Sequence, residues 1–320
     1  MNAAVVEAFD RPPRYGEFAD PVAAEGEVLV KVSAAGLHPI VKALAKGTHY
    51  GSSGELPFVP GVDGVGRLAD GSRVFFGTAR GPYGTFADRA VTASWMCVPL
   101  PQELDDVTAA ALANPAMSSW VALTARAKFV SGESVLILGA TGVAGQLAVQ
   151  IARRLGAQNV VAAGRNPKAL ERLKELGADE VISLDQDAGS LVSSFRAVLN
   201  AGKIDVVLDY LWGMPAEYLL QAISQKGLSH AASRIRYVQI GNSAGPTITL
   251  AGATLRSSGL ELLGSGFGSA SLQEIMRTIG NLFQEAATKP FHNETKSASL
   301  RDVEALWNSP EQGVRLVFQP

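Results

Sequence analysis

Cysteine is almost missing from this sequence: there is one, Cys97, in 320 residues. A lone cysteine excludes an internal disulfide and a cysteine-rich zinc site, and Cys97 reads as a small buried hydrophobe, which is how free cysteine usually behaves. Excess charge of one sign is missing too. Lys and Arg number 28 against 30 Asp and Glu, for a formal net charge of −2, and no long Lys/Arg run occurs. The electrostatic footprint of a nucleic-acid or membrane-surface binder is therefore absent, and the expected partner is a small molecule. No stretch supplies the roughly 18 uninterrupted apolar residues of a membrane span, and Met1 to Arg14 lacks the apolar centre of a signal peptide. A cytoplasmic location is the default expectation. Internal repeats and low-complexity tracts are also lacking.

What is present is an ordinary globular composition, 47% hydrophobic and 18% charged, on a chain long enough for two domains with buried cores. The N-terminal third reads as short strands broken by Gly and Pro. Val28, Val30 and Val32 alternate with Leu29, Lys31 and Ser33, and further strand candidates are Gly61 to Ala69 and Arg73 to Phe76. From about Ala113 the pattern changes to alternating apolar runs and helical periodicities. Ser134 to Leu138 is a short run of the buried parallel type, followed by a Gly-rich turn and a helix with Val143, Leu147, Ile151 and Leu155 on one face. Strands over Val160 to Ala163, Val181 to Leu184, Ile204 to Asp209, Arg236 to Ile240 and Leu260 to Leu263 continue the alternation, with helices after Asn166-Pro167 and around Leu191 to Leu199. Gly156 and Gly177 are expected as helix C′ residues, and Asn166 with Pro167 as N-cap and N1. Repeated β-then-α units of this length predict an α/β fold with a doubly wound parallel sheet. The stripe Leu272, Ile275, Met276, Ile279, Leu282, Phe283 and Ala286 reads as core packing, and Gly313 to Phe318 as a strand returning to the first domain.

Gly139-Ala-Thr-Gly-Val-Ala-Gly145 lies between a predicted strand and a predicted helix. There, missing side chains let a backbone approach a pyrophosphate while helix N-terminal amides face its charge. Ala140 takes the first position of the usual G-x-G-x-x-G, and Gly142 and Gly145 the other two, so Ala140, Thr141, Gly142, Val143, Ala144 and Gly145 are the candidate phosphate-loop residues. A tight turn alone would also call for glycine. About 20 residues on, where an NAD enzyme commonly places a carboxylate, the chain has Gly164-Arg165-Asn166 with Lys168 close behind. A guanidinium without a carboxylate favours a 2′-phosphate, hence NADPH. The plainer alternative is that Asn166 only caps its helix while Arg165 is a solvated charge.

With these stretches in hand, nearly the whole chain resembles the medium-chain dehydrogenase/reductase superfamily, in its zinc-free quinone oxidoreductase branch. The matching segments are VLVKVSAAG (28–36), PFVPGVDGVG (57–66), NPAMSSWVAL (114–123), GESVLILGATGVAGQLAVQIARRLG (132–156), LGADEVI (176–182) and IDVVLD (204–209). The resemblance implies a GroES-like β-rich catalytic domain, residues 1–112 completed by 265–320, and a Rossmann domain over 113–264. It also implies a cleft between them and a homodimer joined through edge strands, with 260–263 the candidate edge. Zinc-dependent relatives place Cys and His where this chain has His38 and Val62, and no four-Cys lobe exists, so no metal site is expected. His38 with Asp63 would offer at most two ligands, fewer than catalytic zinc usually takes. The chain also departs from the branch: His38-Pro-Ile-Val41 replaces Asn-Pro-x-Asp, and 45–50 (AKGTHY) does not reproduce Arg-x-Gly-x-Tyr.

Hydride transfer needs the protein chiefly to position reactants and exclude water, with one or two donors near the developing oxyanion and a proton source. The candidates are His38, His49 and Tyr50 in the cleft loop and Asn114 and Ser118 near the nicotinamide. Gly241 and Ser265, after the last two sheet strands, are candidates for backbone contacts. His38 reads equally as a hydrogen-bonded structural histidine, His49 and Tyr50 as loop packing, and Asn114 as a residue at a helix start before proline. His230 and His292 have no supporting context. The expected function is NADPH-dependent reduction of a quinone or enone. The alternatives are a secondary alcohol dehydrogenase with a minimal metal site, and a non-enzymatic NADPH-binding redox sensor.

Overall fold

The computed structural model describes residues 1–77, 80–201, 204–224, 233–309 and 313–320; His230 lies outside the described residues. The chain forms two units, Met1–Pro115 with Gln273–Pro320, and Ala116–Leu272. No described helix is long and apolar enough to cross a membrane.

In the first unit the strands are β1 (Asn2–Val5), β2 (Arg14–Glu17), β3 (Glu27–Gly36), β4 (Asp63–Arg67), β5 (Arg73–Gly77), β6 (Arg89–Ala93) and β7 (Cys97–Pro99). The short helix α1 (Pro39–Ala45) follows β3, and α2 (Asp106–Val121) begins here. In the second unit come β8 (Ser134–Leu138), α3 (Val143–Arg154), β9 (Asn159–Gly164), α4 (Pro167–Glu175), β10 (Glu180–Ser183), α5 (Ala188–Ala201) and β11 (Val206–Asp209). They are followed by α6 (Gly213–Ile223), β12 (Arg234–Gln239), α7 (Gly252–Arg256) and β13 (Gly259–Gly264). The chain then runs through α8 (Leu272–Thr288), β14 (Thr295–Ser299), α9 (Val303–Leu306) and β15 (Arg315–Gln319).

The first unit is a mostly antiparallel sheet in the order β14-β15-β3-β4-β5-β7, with β6 also on β3. β15, the strand expected to return, pairs antiparallel with β3 at Val317↔Gly36 and Phe318↔Ala35. Its burial is what the aromatic core requires: Phe318 and Trp307 both meet Phe86 edge-on, at 5.5 and 6.3 Å between centroids. Cys97 is half-buried rather than buried, packed at the margin of the Val30, Val74 and Phe76 cluster.

Helix α2 is a structural element that the sequence pattern did not announce. Its alanine content favours helix strongly, but Ala109 to Ala113 are all buried and no residue from there to Val121 is exposed, so no amphipathic stripe marks it. Pro115 lies inside this helix, and Asn114 is therefore not at a helix start. Proline has no N–H for the carbonyl of residue 111, and the Asn293 amide donates to the Ala111 carbonyl instead, at 3.3 Å.

The second unit is a six-stranded, all-parallel sheet in the order β10-β9-β8-β11-β12-β13. This is the doubly wound Rossmann order, in which the chain reverses direction across the sheet between β8 and β11 and ligands bind at the carboxyl edge. β8 lies at the centre, so its SVLIL run is buried throughout. Helix α3 buries Leu147 and Ile151. Gly156 (φ 90°) and Gly177 (φ 115°) are the left-handed C′ residues expected of them. Asn166 caps α4, its side chain accepting from the Ala169 N–H. Leu272, first in the apolar stripe of α8, is 44% exposed, while Ile275, Met276, Ile279, Leu282, Phe283 and Ala286 are buried.

The unit boundaries differ from 112/113 and 264/265 for local reasons. α2 passes unbroken through the first boundary. After β13 the chain stays tied to the second unit, because Ser265 N–H extends the ladder to the Gln239 carbonyl and Arg126 donates to the carbonyls of Gly264 (2.7 Å) and Ser269 (3.0 Å). Arg126 ends a π-helical turn, Ala122–Arg126.

Candidate functional site

Because all six strands of the Rossmann sheet are parallel, the loops after β8, β9, β11, β12 and β13 share one edge. The phosphate-loop candidates occupy the first of these. Gly139 takes φ 84°, and Gly142 is the N-cap of α3 with no capping side chain. The first-turn amides of α3, at Val143, Ala144 and Gly145, have no intrahelical acceptor by construction of any helix.

The two glycines of this loop have different reasons to be there. A Cβ on Gly145 would lie 2.3 Å from the Gly139 carbonyl oxygen and 2.5 Å from Ala140 Cα, so glycine is what lets α3 pack against β8. Gly142 has φ −80°, open to any residue, and a Cβ there would meet only the Gly139 oxygen at 3.6 Å. The fold has no need of glycine at 142. A side chain at this N-cap position would meet nothing else within 4 Å.

The neighbouring loops close ranks beside it. Thr141 packs on Gly164, where a Cβ would come within 2.4 Å of Thr141 Cγ2. Arg165, Asn166 and Lys168 are all exposed. On the other side Tyr210, directly after β11, donates its N–H to the Leu138 carbonyl and crowds Gly139. Gly241 in turn abuts the Tyr210 carbonyl. The structure thus brings together the loops carrying Thr141, Gly164, Gly139, Tyr210 and Gly241. The backbone amides of Gly241 and Ser265 are both engaged, with the carbonyls of Asp209 (3.1 Å) and Gln239 (2.8 Å). The sheet ladder runs on past β12 and β13, so these two residues have no amide to offer a ligand.

Sequence reasoning missed Asp209 and Tyr210. Asp209 ends β11 fully buried; its carboxylate accepts from the amides of Leu211 (2.7 Å) and Trp212 (3.0 Å) and from the Tyr237 hydroxyl (2.7 Å). Burial raises its pKa, against the lowering effect of those donors. Tyr210 and Ser118 bring their hydroxyls to 3.2 Å, and burial pushes the Tyr210 phenol up to about 12. The available signal was position alone: Asp209 ends an apolar strand and Tyr210 follows it, at the carboxyl edge of the sheet.

In the first unit the candidates separate. His38 is fully buried at the start of α1, with Nε2 3.2 Å from Asp63 Oδ1, but neither ring nitrogen is aligned for a hydrogen bond with a protein group. Arg315 reaches the same cluster and donates to the Leu37 carbonyl at 2.5 Å. Burial lowers the His38 pKa more than Asp63 raises it, and also lowers Arg315, to about 10. His49 and Tyr50, by contrast, stack on each other at 4.1 Å, with Tyr50 74% exposed. Asn114 is half-buried within α2. Among the described residues no group of three or more His, Cys, Asp or Glu side chains is arranged to hold a metal ion.

The family described as zinc-binding dehydrogenase matches residues 143–283. The chain is 29% identical to the probable NADPH-dependent quinone reductase tdiC of Emericella nidulans over 100% of both chains. It is 31% identical to the quinone oxidoreductase of Lama guanicoe over 71% of each. Among solved structures, a quinone oxidoreductase of Pseudomonas syringae superposes with TM-score 0.84 at 22% identity and an NAD-dependent alcohol dehydrogenase with TM-score 0.85 at 22%, each over 100% of both chains; at that identity the likeness is of fold. The chain belongs to the medium-chain dehydrogenase/reductase superfamily, an oxidoreductase of the quinone oxidoreductase branch.

Proposed function

We propose that this chain is an NADPH-dependent, zinc-independent reductase that passes a hydride to a quinone or an α,β-unsaturated carbonyl compound. The observation that supports it most is Gly142, a glycine that the fold does not require, at the mouth of a helix whose first amides face outward. In this reading the loop Gly139–Gly145 holds the pyrophosphate, and Arg165 with Lys168 takes the 2′-phosphate. The cofactor, when bound, supplies the hydride. The chain's own groups bind, orient and hold protons. With its pKa pushed to about 12, Tyr210 keeps its phenolic proton at neutral pH, so the Ser118–Tyr210 pair carries an O–H donor at the carboxyl edge. His49 and Tyr50 are the acceptor-side candidates of the first unit. Buried His38 acts in this reading by positioning, through Asp63 and Arg315.

A second copy of the chain is part of the proposal. β13 ends the Rossmann sheet with its outer edge unpaired among the described residues, and edge pairing with another β13 would cover it. The test is NADPH consumption with a panel of quinones and α,β-unsaturated ketones, with size-exclusion mass for the dimer. Tight NADPH binding without turnover of any acceptor overturns the catalytic reading.

A further inference from the structure

Trp212 stands in a backbone conformation that only glycine normally adopts. Its φ of 56° and ψ of −158° fall where a side chain collides with its own backbone. The surroundings hold it there: Asp209 accepts its N–H, and the Leu211 carbonyl accepts from Ala244 at 2.8 Å. Gly213, which follows at φ 58°, leaves no room for a Cβ against the Ala244 carbonyl. At such a position glycine would avoid the strain, so the indole must be kept for what it touches. Only part of it is accounted for by packing, an edge-on contact with Tyr237 at 6.3 Å and partial burial against the sheet core.

The indole also lines an open groove of about 350 Å³ at the carboxyl edge of β11 to β13. Leu262, Leu263 and Pro246 are its apolar lining beside the indole, Gln239 and Asn242 bring amide groups, and among the described residues no charged one borders it. Such walls suit a flat, uncharged molecule carrying carbonyl oxygens: an aromatic face offers stacking area, amides offer hydrogen bonds, and a charged ligand would find no counter-charge. The volume lies in the range of small-molecule sites and is too small for a whole dinucleotide.

We propose that this groove receives the ring of the electron acceptor and that Trp212 is a specificity-determining residue, selecting planar quinones over small acyclic enones. The inference rests on the reductase reading above. Wild type, Trp212→Gly and Trp212→Phe are compared with 1,4-naphthoquinone and 3-buten-2-one as acceptors, alongside the NADPH dissociation constant. The glycine variant, freed of strain, is expected to raise KM for the naphthoquinone by about 10-fold, as loss of an aromatic contact implies. Its kcat, its KM for the acyclic enone and its NADPH affinity should stay within about two-fold. Trp212→Phe should recover most of the loss, which a purely structural role for the indole would not require.

A second readout needs no turnover. Naphthoquinone titrated into the protein without NADPH should quench a component of tryptophan fluorescence that is missing from Trp212→Phe. Equal quenching in both proteins, or NADPH affinity falling in parallel with naphthoquinone KM, overturns the inference. Quenching specific to Trp212 in a protein that reduces no acceptor would instead overturn the reductase reading while leaving the ring site standing.

Discussion

The side-chain amide of Asn293 takes up the Ala111 carbonyl that Pro115 leaves without a helical partner, at 3.3 Å. The contact joins residues far apart in the chain but within one unit, and it explains how a proline is tolerated inside α2. Replacing Asn293 by Ala should cost about 0.5–1.5 kcal/mol, the usual net worth of one such hydrogen bond. Urea unfolding of the variant measures it. An unchanged midpoint would mean that water satisfies the carbonyl equally well.

The loop glycines should separate cleanly on mutation. Gly145→Ala forces a Cβ to within 2.3 Å of backbone and should destabilise by about 1–3 kcal/mol through overpacking. Gly142→Ala has room and an ordinary φ, so its melting temperature should hardly move while NADPH affinity falls. Thermal unfolding and cofactor titration of both variants check this. Unaltered NADPH binding by Gly142→Ala would remove the main support for a phosphate at this loop.

Arg165 is exposed beside the glycine loop, on the turn whose Asn166 already serves as the helix cap. A charge-assisted hydrogen bond contributes roughly 1.5–3 kcal/mol. Arg165→Ala should therefore weaken NADPH binding about 10- to 150-fold and leave NADH nearly unaffected. Lys168→Ala should give a smaller loss of the same sign, as a screened point charge. Equal losses for both cofactors would reduce the turn to a capped loop.

His38 sets an acid limit on stability. Its folded pKa lies below the ordinary 6.5 because of burial, with Asp63 opposing and Arg315 adding to the shift. The unfolded chain therefore binds the proton more readily. The stability this contributes is present above about pH 6.5 and is lost as pH falls toward and through the folded pKa, at up to about 1.36 kcal/mol per pH unit. His38→Gln should flatten the slope of unfolding free energy between pH 7 and 5. An identical slope in the variant would assign acid lability to other groups.

How much of this was readable in advance depended on whether the physics was local. The strand, glycine turn and helix around Gly139–Gly145, the Asn166 cap and the C′ glycines at 156 and 177 follow from short-range rules of backbone conformation and periodicity, and the sequence alone determined them. Alternation of β and α units likewise settled the doubly wound sheet. Helix α2 escaped because no residue from Ala109 to Val121 is exposed, which erases the periodicity that marks a surface helix. His38 and Tyr50 looked like neighbours in one loop, yet one is fully buried and the other 74% exposed. That separation arises because Asp63 and Arg315, distant in sequence, converge on the imidazole. Tyr210, Asp209 and the strained Trp212 gain their meaning only from partners on β8, β12 and the loop at 242–245. No rule of local sequence encodes those contacts; tertiary packing alone decided which side chains share the carboxyl edge.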